Sequence, residues 1–378
     1  MNRATRFILL MGIVSLLGDI TYEGGRSVVG PFLATFGVSA VLVGFISGFG
    51  EFAGYAFRLL SGYVADRTKR YWPMTFLGYA MILCIPLLVL ANRWEIAAVL
   101  IILERLGKAI RSPPRDAMLS FATREIGRGW GFAIHEAMDQ IGAVIGPLIL
   151  SAALLKYNYQ EGFAVLAIPA LATIAVLTFA RFQYPSPRKF EEKRAEVEEK
   201  DVFWLYTLFV FSSVMGFASF PIIAYHFKVN SVFSDSVIPL LYAVAMGIDA
   251  VSALIAGRAY DRIGFGVLIA IPLLIPLTLL SFTDLALFGV VVWGAVMGMQ
   301  ETVMRASVAD LVKLEKRSTA YGIFNTAYGF AWLAGGVIIG ALYEMSFNLL
   351  TAFVVSAEFA ALVVLYAIVR KMRTVMSV

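Results

Sequence analysis

The residues best suited to chemistry in this chain are charged side chains placed inside long apolar stretches. The first stretch contains Asp19, Glu23 and Arg26, which lie about one helical turn apart and therefore share a helix face. A charge at bilayer depth is costly, so it usually serves a function. Two neighbouring carboxylates favour a site where one of them loads and releases a proton near neutral pH. A fixed ion-pair network with Arg58 and Arg105 is the alternative role.

Two later stretches carry further charges. The chain has Glu104, Arg105, Lys108 and Arg111 in one, and His135, Glu136 and Asp139 in the next. His135 and Asp139 share a helix face, so with Asp19 they could bind a divalent metal. A buried histidine–carboxylate pair also occurs as a structural pair or a proton relay. The other candidates for coupling or substrate binding are Glu51, Arg58, Glu301, Arg305 and Trp332. Because most of these charges fall in the first half, we predict that coupling resides there.

The composition indicates the environment that must hold these charges. Of 378 residues, 60% are hydrophobic and only 15% are charged, whereas a soluble domain carries roughly 25% charged residues. We therefore predict an all-α integral membrane protein rather than a soluble enzyme. Its single cysteine, Cys84, excludes a disulfide or thiolate metal cluster within the chain. The net charge of +5 comes without a basic, aromatic-rich stripe, which argues against a nucleic-acid partner.

The apolar stretches divide into twelve predicted transmembrane spans. Their expected bounds, good to about a few residues, are about 7–36, 39–65, 72–92, 94–119, 128–156, 161–183, 202–226, 236–260, 264–282, 286–313, 319–345 and 347–370. Pro113 and Pro114 are expected to interrupt the hydrogen bonding of the fourth span. A charged linker, 184–201, separates an N-terminal six-helix bundle, 1–183, from a C-terminal one, 202–378. Most of the arginines and lysines outside the spans lie in the terminal segments and in the alternate loops on one side of the membrane. This pattern predicts a multi-pass protein of the cell membrane with both termini in the cytoplasm.

Two loops carry the same short motif in equivalent places of the two halves. Gly62, Asp66 and Arg67, with Arg70 beyond them, follow the second span; Gly257, Asp261 and Arg262 follow the eighth. This motif resembles the loop signature of the major facilitator superfamily, and the resemblance covers the whole chain. It implies two pseudo-repeated six-helix bundles that alternate access to a central site. In that reading the motif residues control a gate.

Two further elements resemble parts of the same superfamily. Arg105 matches its intramembrane arginine on the fourth helix, and Arg111 stands close enough to the span end to snorkel toward water. Gly146 and Pro147, with Gly142 one turn earlier, resemble the fifth-helix motif of antiporters, which favours export. The pattern as a whole looks like a prokaryotic subgroup of drug or metal exporters.

These observations together predict a proton-coupled secondary transporter that exports small organic molecules. The chain shows no nucleotide-binding loop, so we expect no cofactor, no ATP hydrolysis and no enzymatic activity. Protons, a small-molecule substrate and the lipid bilayer are the expected partners of a monomer. Tyr242, Met297 and Trp332 could form an apolar wall, although ordinary helix packing is the better explanation for any one of them alone. The alternatives are an iron- or nickel-type metal exporter of the same fold and a non-transporting membrane sensor or structural partner.

Overall fold

A computed structural model describes residues 3–123, 128–185, 201–311 and 317–376, and every regular element in these ranges is helical. The first half contains α1 Arg3–Arg26, α2 Val29–Ala34, α3 Ala40–Thr68, α4 Tyr71–Ala80, α5 Trp94–Thr123, α6 Arg128–Ala153, α7 Tyr159–Val165 and α8 Ala167–Gln183. The second half contains α9 Asp201–Met215, α10 Phe220–Val229, α11 Val237–Ile263, α12 Ala270–Thr278, α13 Ala286–Met299, α14 Arg305–Leu311, α15 Arg317–Met345 and α16 Phe347–Met376. The all-α membrane fold is thereby confirmed.

Ten helical segments in the described ranges are long and apolar enough to cross a bilayer. Two more long helices, α5 with 30 residues and α6 with 26, have the length for a span of about 20 residues. They are more polar because they carry the charged residues identified above. The twelve-span prediction is consistent with this set of helices.

Several predicted spans consist of more than one helical piece. The first ends as α1 at Arg26 and resumes as α2 at Val29, with the Ser27 hydroxyl donating to the Gly24 carbonyl at 2.6 Å across the break. The third and ninth continue through 3-10 turns, and α13 passes into a π-helical turn over Gln300–Met304 before α14. Apolar length predicted the spans, but it contains no signal for these interruptions.

The prolines of the fourth span do not end its helix, because α5 continues through Pro113 and Pro114 to Thr123. Pro113 has no N–H for the carbonyl of Ala109, four residues earlier. The Ser61 hydroxyl of α3 donates to that carbonyl at 2.7 Å, as neighbouring hydroxyls do for proline-freed groups in membranes. The next residue, Gly62, faces the Pro113 ring, which a Cβ at Gly62 would meet at 3.5 Å. The motif glycine therefore lies beside the proline turn at a distance that would also admit a small side chain.

The described residues divide into two compact units. Unit 1 comprises 1–37, 53–193 and 231–243, and unit 2 comprises 38–52, 194–230 and 244–378. Each unit thus includes a segment from the other half of the sequence. The predicted domain bounds remain a prediction, and residues 186–200 of the predicted linker lie outside the described ranges.

The core of unit 1 joins α1, α4, α5 and α8 through buried apolar side chains. Its largest members include Phe7, Trp72 and Tyr184, and the Phe7 ring packs edge-on against the Tyr184 ring at 5.2 Å between centroids. In unit 2, Trp293 is fully buried, stacks on Phe217 and donates from its indole nitrogen to the Ala218 carbonyl at 2.8 Å. These cores hold the helices that position the charged residues.

The predicted duplication has a backbone counterpart in the two motif loops. Lys69 and Gly264 both adopt left-handed backbone, each with φ of 56°. They are separated along the sequence by the same distance as Gly62 and Gly257. A lysine bears the strain of this conformation at one position and a glycine avoids it at the other.

The closest helix crossing in unit 1 joins α1 to α6 at the glycines of the predicted antiporter motif. A Cβ at Gly142 would lie 2.5 Å from the Leu16 carbonyl oxygen, and one at Gly146 would lie 2.8 Å from the Gly24 nitrogen. These distances are too short for any side chain, so only glycine allows the backbones to approach this closely. Pro147 continues within α6.

We expect Gly146→Val to destabilise the folded protein because a Cβ there would overlap α1 backbone atoms that cannot yield. The matched control is Gly247→Val in α11, where an added Cβ would meet nothing within 4 Å. Thermal unfolding in detergent should show a loss of about 2 kcal/mol or more for Gly146→Val and little change for the control. Equal melting temperatures for both variants would contradict this account of the crossing.

Candidate functional site

The candidate site is a network of charged and aromatic side chains on α1, α5 and α6 of unit 1. The Glu23 carboxylate of α1 is buried, with 6% of its residue surface exposed. It accepts a hydrogen bond from the Tyr242 hydroxyl at 2.7 Å and lies 3.7 Å from the Arg26 guanidinium. Tyr242 lies in the second turn of α11 and is fully buried. A residue of the second half of the sequence thus holds an intramembrane carboxylate of the first.

An aromatic ring at the centre of the network contacts cations from α5. Tyr22, 2% exposed, has the Lys108 ammonium 3.9 Å and the Arg105 guanidinium 4.6 Å from its ring centroid. Such contacts stabilise a cation that has left bulk water. Sequence reasoning did not select Tyr22, although its position beside Glu23 on a charge-bearing helix was a usable signal.

Asp19 lies one turn before Glu23 and is half-buried. The charges acting most strongly on its carboxylate are Lys108, Glu23, Arg111 and Arg115. Gly142 of α6 packs directly against it, because a Cβ there would lie 3.1 Å from the Asp19 Cβ. Asp19 therefore stands where the three helices meet, among cations of α5.

Arg111 does not snorkel to the surface. It is 2% exposed, and its guanidinium lies 3.4 Å from the carboxylate of Glu104 on the same helix. It also donates to the Gly78 carbonyl of α4 at 3.3 Å. The α4–α5 approach at Gly78 and Gly107, where a Cβ at Gly107 would lie 2.8 Å from the Gly78 carbonyl oxygen, brings this acceptor within reach. The ion pair with Glu104 and the hydrogen bond to Gly78 therefore take the place of water around the Arg111 guanidinium.

Arg115 connects the network to α6. Its guanidinium donates to the Ser15 hydroxyl at 2.7 Å and lies 3.9 Å from the Asp139 carboxylate. Asp139 is in turn 3.6 Å from His135 Nδ1 on the same helix. Ser15 also lies 3.2 Å from the Tyr79 hydroxyl of α4. Sequence reasoning did not select Arg115, Ser15 and Tyr79 as site residues. For Ser15 and Tyr79 the reason is that serine and tyrosine in an apolar helix carry no charge signal.

Other predicted site residues lie outside this network. Arg58 packs against the Tyr55 ring at 4.6 Å on its own helix, and Glu136 is exposed on α6. Glu51 belongs to the part of α3 that clusters with unit 2. In unit 2, Glu301 is half-buried within the π-helical turn and Arg305 is exposed after it. Trp332 and Met297 are buried, with Trp332 packed on Phe217 at 5.6 Å, so packing explains both in this structure.

The predicted gating residues lie at the ends of α3 and α11. Arg67 is exposed and donates to the Tyr63 hydroxyl at 2.9 Å, and Arg70 and Arg262 are also exposed. A Cβ at Gly257 would meet the Thr302 methyl group at 3.4 Å. The side chains of Asp66 and Asp261 lie outside the described part of the structure, so their gating role remains a prediction.

The metal-site alternative depends on convergence of Asp19, His135 and Asp139. Across residues 3–123, 128–185, 201–311 and 317–376, no group of three histidine, cysteine or carboxylate side chains is placed to hold a metal ion. His135 and Asp139 meet as a pair at 3.6 Å, and the same Asp139 oxygen lies 3.9 Å from the Arg115 guanidinium.

The sequence matches the model of the Major Facilitator Superfamily over residues 9–336. The chain belongs to the major facilitator superfamily. Its helical segments, the duplicated loop motif and the intramembrane charges are therefore parts of a multi-pass membrane transporter. Membership in this family of carriers supports transport of a small molecule over the alternative of a non-transporting sensor.

Comparisons with individual proteins agree with this assignment. The chain is 39% identical to an uncharacterised protein of Mycobacterium tuberculosis, over 97% of this chain and 93% of that protein. It is 26% identical to an MFS-type transporter of Methanocaldococcus jannaschii, over 90% of this chain and 89% of that one. It is also 29% identical to the multidrug resistance protein MdtH of Proteus mirabilis, over 57% of this chain and 55% of that one.

Solved structures share the fold at low sequence identity. The nucleoside transporter NupG is 14% identical, with a TM-score of 0.69 over 98% of this chain and 99% of that chain. A bacterial homologue of the human lysosomal transporter Spinster is 15% identical, with a TM-score of 0.69 over 97% and 96% of the two chains. These likenesses establish the major facilitator fold.

Proposed function

We propose that this chain is a proton-coupled secondary transporter that exports small organic molecules by alternating access. The proposal places the protein in the cell membrane as a monomer with both termini in the cytoplasm, since basic residues cluster at the ends and loops of that side. Coupling is assigned to Asp19, Glu23 and Asp139, with Arg26, Arg105, Lys108, Arg111 and His135 as the groups that surround them. Export is favoured by the α6 glycine motif and by the likeness to a multidrug resistance protein.

The observation that carries the proposal is the hydrogen bond from Tyr242 to Glu23. Alternating access requires the two sequence halves to move against each other, and a contact that joins them must break or change in that movement. Loss of the Tyr242 hydroxyl removes a donor from a buried carboxylate, and donors to the charged form favour that form. A change in this contact would therefore change the surroundings of a buried carboxylate, which is what coupling to a conformational change requires.

Asp19 completes the proposed proton step. It lies one turn from Glu23, and the charges of Glu23 and Lys108 both act on its carboxylate. A displacement of α5 relative to α1 would change the charges around Asp19, so we assign the proton step to this carboxylate together with Glu23. Asp139, held by Arg115, is the second candidate carrier.

The proposal is tested with purified protein in liposomes that trap a pH-sensitive dye. An imposed pH gradient should drive accumulation of ethidium, used here as an organic cation probe, and ethidium addition should release protons in the opposite direction. Net accumulation of ethidium without a gradient, or a gradient that moves no member of a panel of organic probes, would contradict proton-coupled organic export.

The metal-export alternative makes a different prediction for His135. We expect His135→Ala to retain gradient-driven ethidium transport to within about threefold, because within the described residues His135 pairs with Asp139 and belongs to no group of three potential metal ligands. Calorimetry with Ni²⁺ should show no stoichiometric binding to wild-type protein. Tight Ni²⁺ binding that disappears in His135→Ala would instead establish the metal site, and Gln140→Ala on the same helix is the control for local disturbance.

A further inference from the structure

A cavity lies at one end of the helices, away from the charged network. It has a volume of about 440 Å³ and is lined by Arg3, Arg6, Gln183 and Tyr184. Arg3 is the first residue of α1 and Gln183 the last of α8, and both helices are membrane spans. The cavity therefore lies between two spans at the boundary of the apolar layer, at the depth of lipid headgroups.

Both arginines of this cavity are exposed and available to an anion. Within the described residues, neither guanidinium forms an ion pair with a carboxylate. The Arg3 guanidinium instead lies 5.6 Å from the centre of the Tyr184 ring. These two guanidinium groups, which have no carboxylate partner among the described residues, lie about one helical turn apart and form a site suited to phosphate, which arginine binds through paired hydrogen bonds.

The aromatic wall of the cavity is rigid. The Trp72 indole nitrogen donates to the Tyr184 carbonyl at 3.2 Å, and the Phe7 ring packs edge-on against Tyr184. Tryptophan and tyrosine are typical of the interface between membrane and water. Arg181, one turn before Tyr184, lies over the Phe76 ring at 5.6 Å and adds a third basic group nearby.

An apolar track leads away from the cavity along α8. Its exposed side chains recur at helical spacing and are Ile168, Leu171, Phe179 and Phe182, with exposed fractions of 74%, 58%, 57% and 82%. This stripe faces the bilayer, since water would not tolerate so much apolar surface. A lipid whose phosphate occupies the cavity could thus lay its acyl chains along α8. A free phosphate ion has no acyl chains to contact this surface.

We propose that this cavity binds the phosphate headgroup of an acidic phospholipid, with Arg3 and Arg6 as the phosphate ligands and α8 as the support for the acyl chains. The site is independent of the transport proposal. Basic residues at a membrane surface attract anionic lipids, and here the cavity adds a defined place for one headgroup.

The test is native mass spectrometry of the full chain in detergent with phosphatidylglycerol or phosphatidylcholine of the same acyl chains. We expect retained phosphatidylglycerol adducts, and an affinity reduced by about tenfold in the double variant Arg3→Gln, Arg6→Gln. The double variant Arg3→Lys, Arg6→Lys should retain the preference for phosphatidylglycerol. Arg93→Gln is the matched control, because Arg93 is already paired with Glu95 at 2.8 Å and should leave binding unchanged.

Three outcomes would overturn the assignment. Equal binding of the two lipids would show that the site does not distinguish an acidic headgroup from a zwitterionic one. Unchanged phosphatidylglycerol binding in the glutamine variant, with an unchanged melting temperature, would place the lipid elsewhere. Displacement of the lipid by an equal concentration of inorganic phosphate would indicate a site for the free ion.

Discussion

Gradient-driven transport should fall by about tenfold or more in Glu23→Gln and in Asp19→Asn, whereas exchange that needs no gradient should survive. Neutral amides keep the shape of the side chains but cannot carry a proton, so coupling is lost while substrate binding is retained. The measurement compares ethidium accumulation under an imposed pH gradient with ethidium exchange at equal pH on both sides of the liposome membrane.

The structure adds a more specific variant to this prediction. Tyr242→Phe removes only the hydroxyl that donates to Glu23 at 2.7 Å and leaves the ring in its buried position. We expect the loss of this donor to reduce gradient-driven ethidium accumulation while ethidium exchange at equal pH is retained, because a buried carboxylate loses its hydrogen-bond partner. Tyr225→Phe is the control, because its ring packs edge-on against Tyr343 within unit 2.

A normal pH profile and full accumulation in Asp19→Asn and Glu23→Gln would show that the charges of α1 form only a structural ion-pair network. The proton carrier would then be sought at Asp139, which lies 3.9 Å from Arg115. Loss of exchange together with loss of accumulation would also contradict the coupling role, since it would indicate damaged substrate binding instead.

The sequence predicted the charged residues of the site well, because a charge in an apolar helix is visible without a structure. Asp19, Glu23, Arg105, Lys108, Arg111 and Asp139 all lie in or beside the network of unit 1. The partners of these charges were harder to predict. Tyr22, Ser15 and Tyr79 acquire their roles only through helix packing, which brings α4, α5 and α6 to α1.

The periodicity of apolar residues along the sequence could not predict which residues from distant parts of the chain pair with each other. The contact between Tyr242 and Glu23 joins residues far apart in sequence, and a fully buried tyrosine in an apolar helix has the same pattern as a core residue. The ion pair of Glu104 with Arg111 was also missed, because Arg111 was interpreted from its distance to the span end. Whether an arginine snorkels depends on the neighbours that it finds.

A second large effect is expected where α3 meets α15 in unit 2. The backbones touch through glycines: a Cβ at Gly336 would lie 2.6 Å from the Gly44 carbonyl oxygen, and one at Gly48 would lie 2.7 Å from the Trp332 carbonyl oxygen. At the end of this contact the Glu344 carboxylate accepts the Ala40 backbone N–H at 2.5 Å, capping α3. Residues from both sequence halves thus meet in one close contact, and under the proposed alternating access we expect this contact to act as a seal that opens and closes.

We expect Gly336→Leu to prevent this seal from closing and to reduce transport by about tenfold or more, because no side chain fits between the two backbones. An Ala40→Cys reporter in a Cys84→Ser background measures the opening directly. Ala40 is fully buried, so the reporter should resist a membrane-impermeant maleimide in the parent and react readily when Gly336→Leu is added.

The control separates a broken seal from a damaged helix. Gly247→Leu places the same side chain in α11 where an added Cβ meets nothing within 4 Å, so transport and labelling should match the parent. Glu344→Gln keeps the shape of the cap but weakens it by removing its charge at a helix N-terminus, so it should give labelling between the parent and Gly336→Leu. If Gly336→Leu folds, transports normally and leaves the Ala40→Cys reporter unreactive, the two backbones do not need this close approach. The contact between α3 and α15 would then be a passive part of the fold rather than a gate.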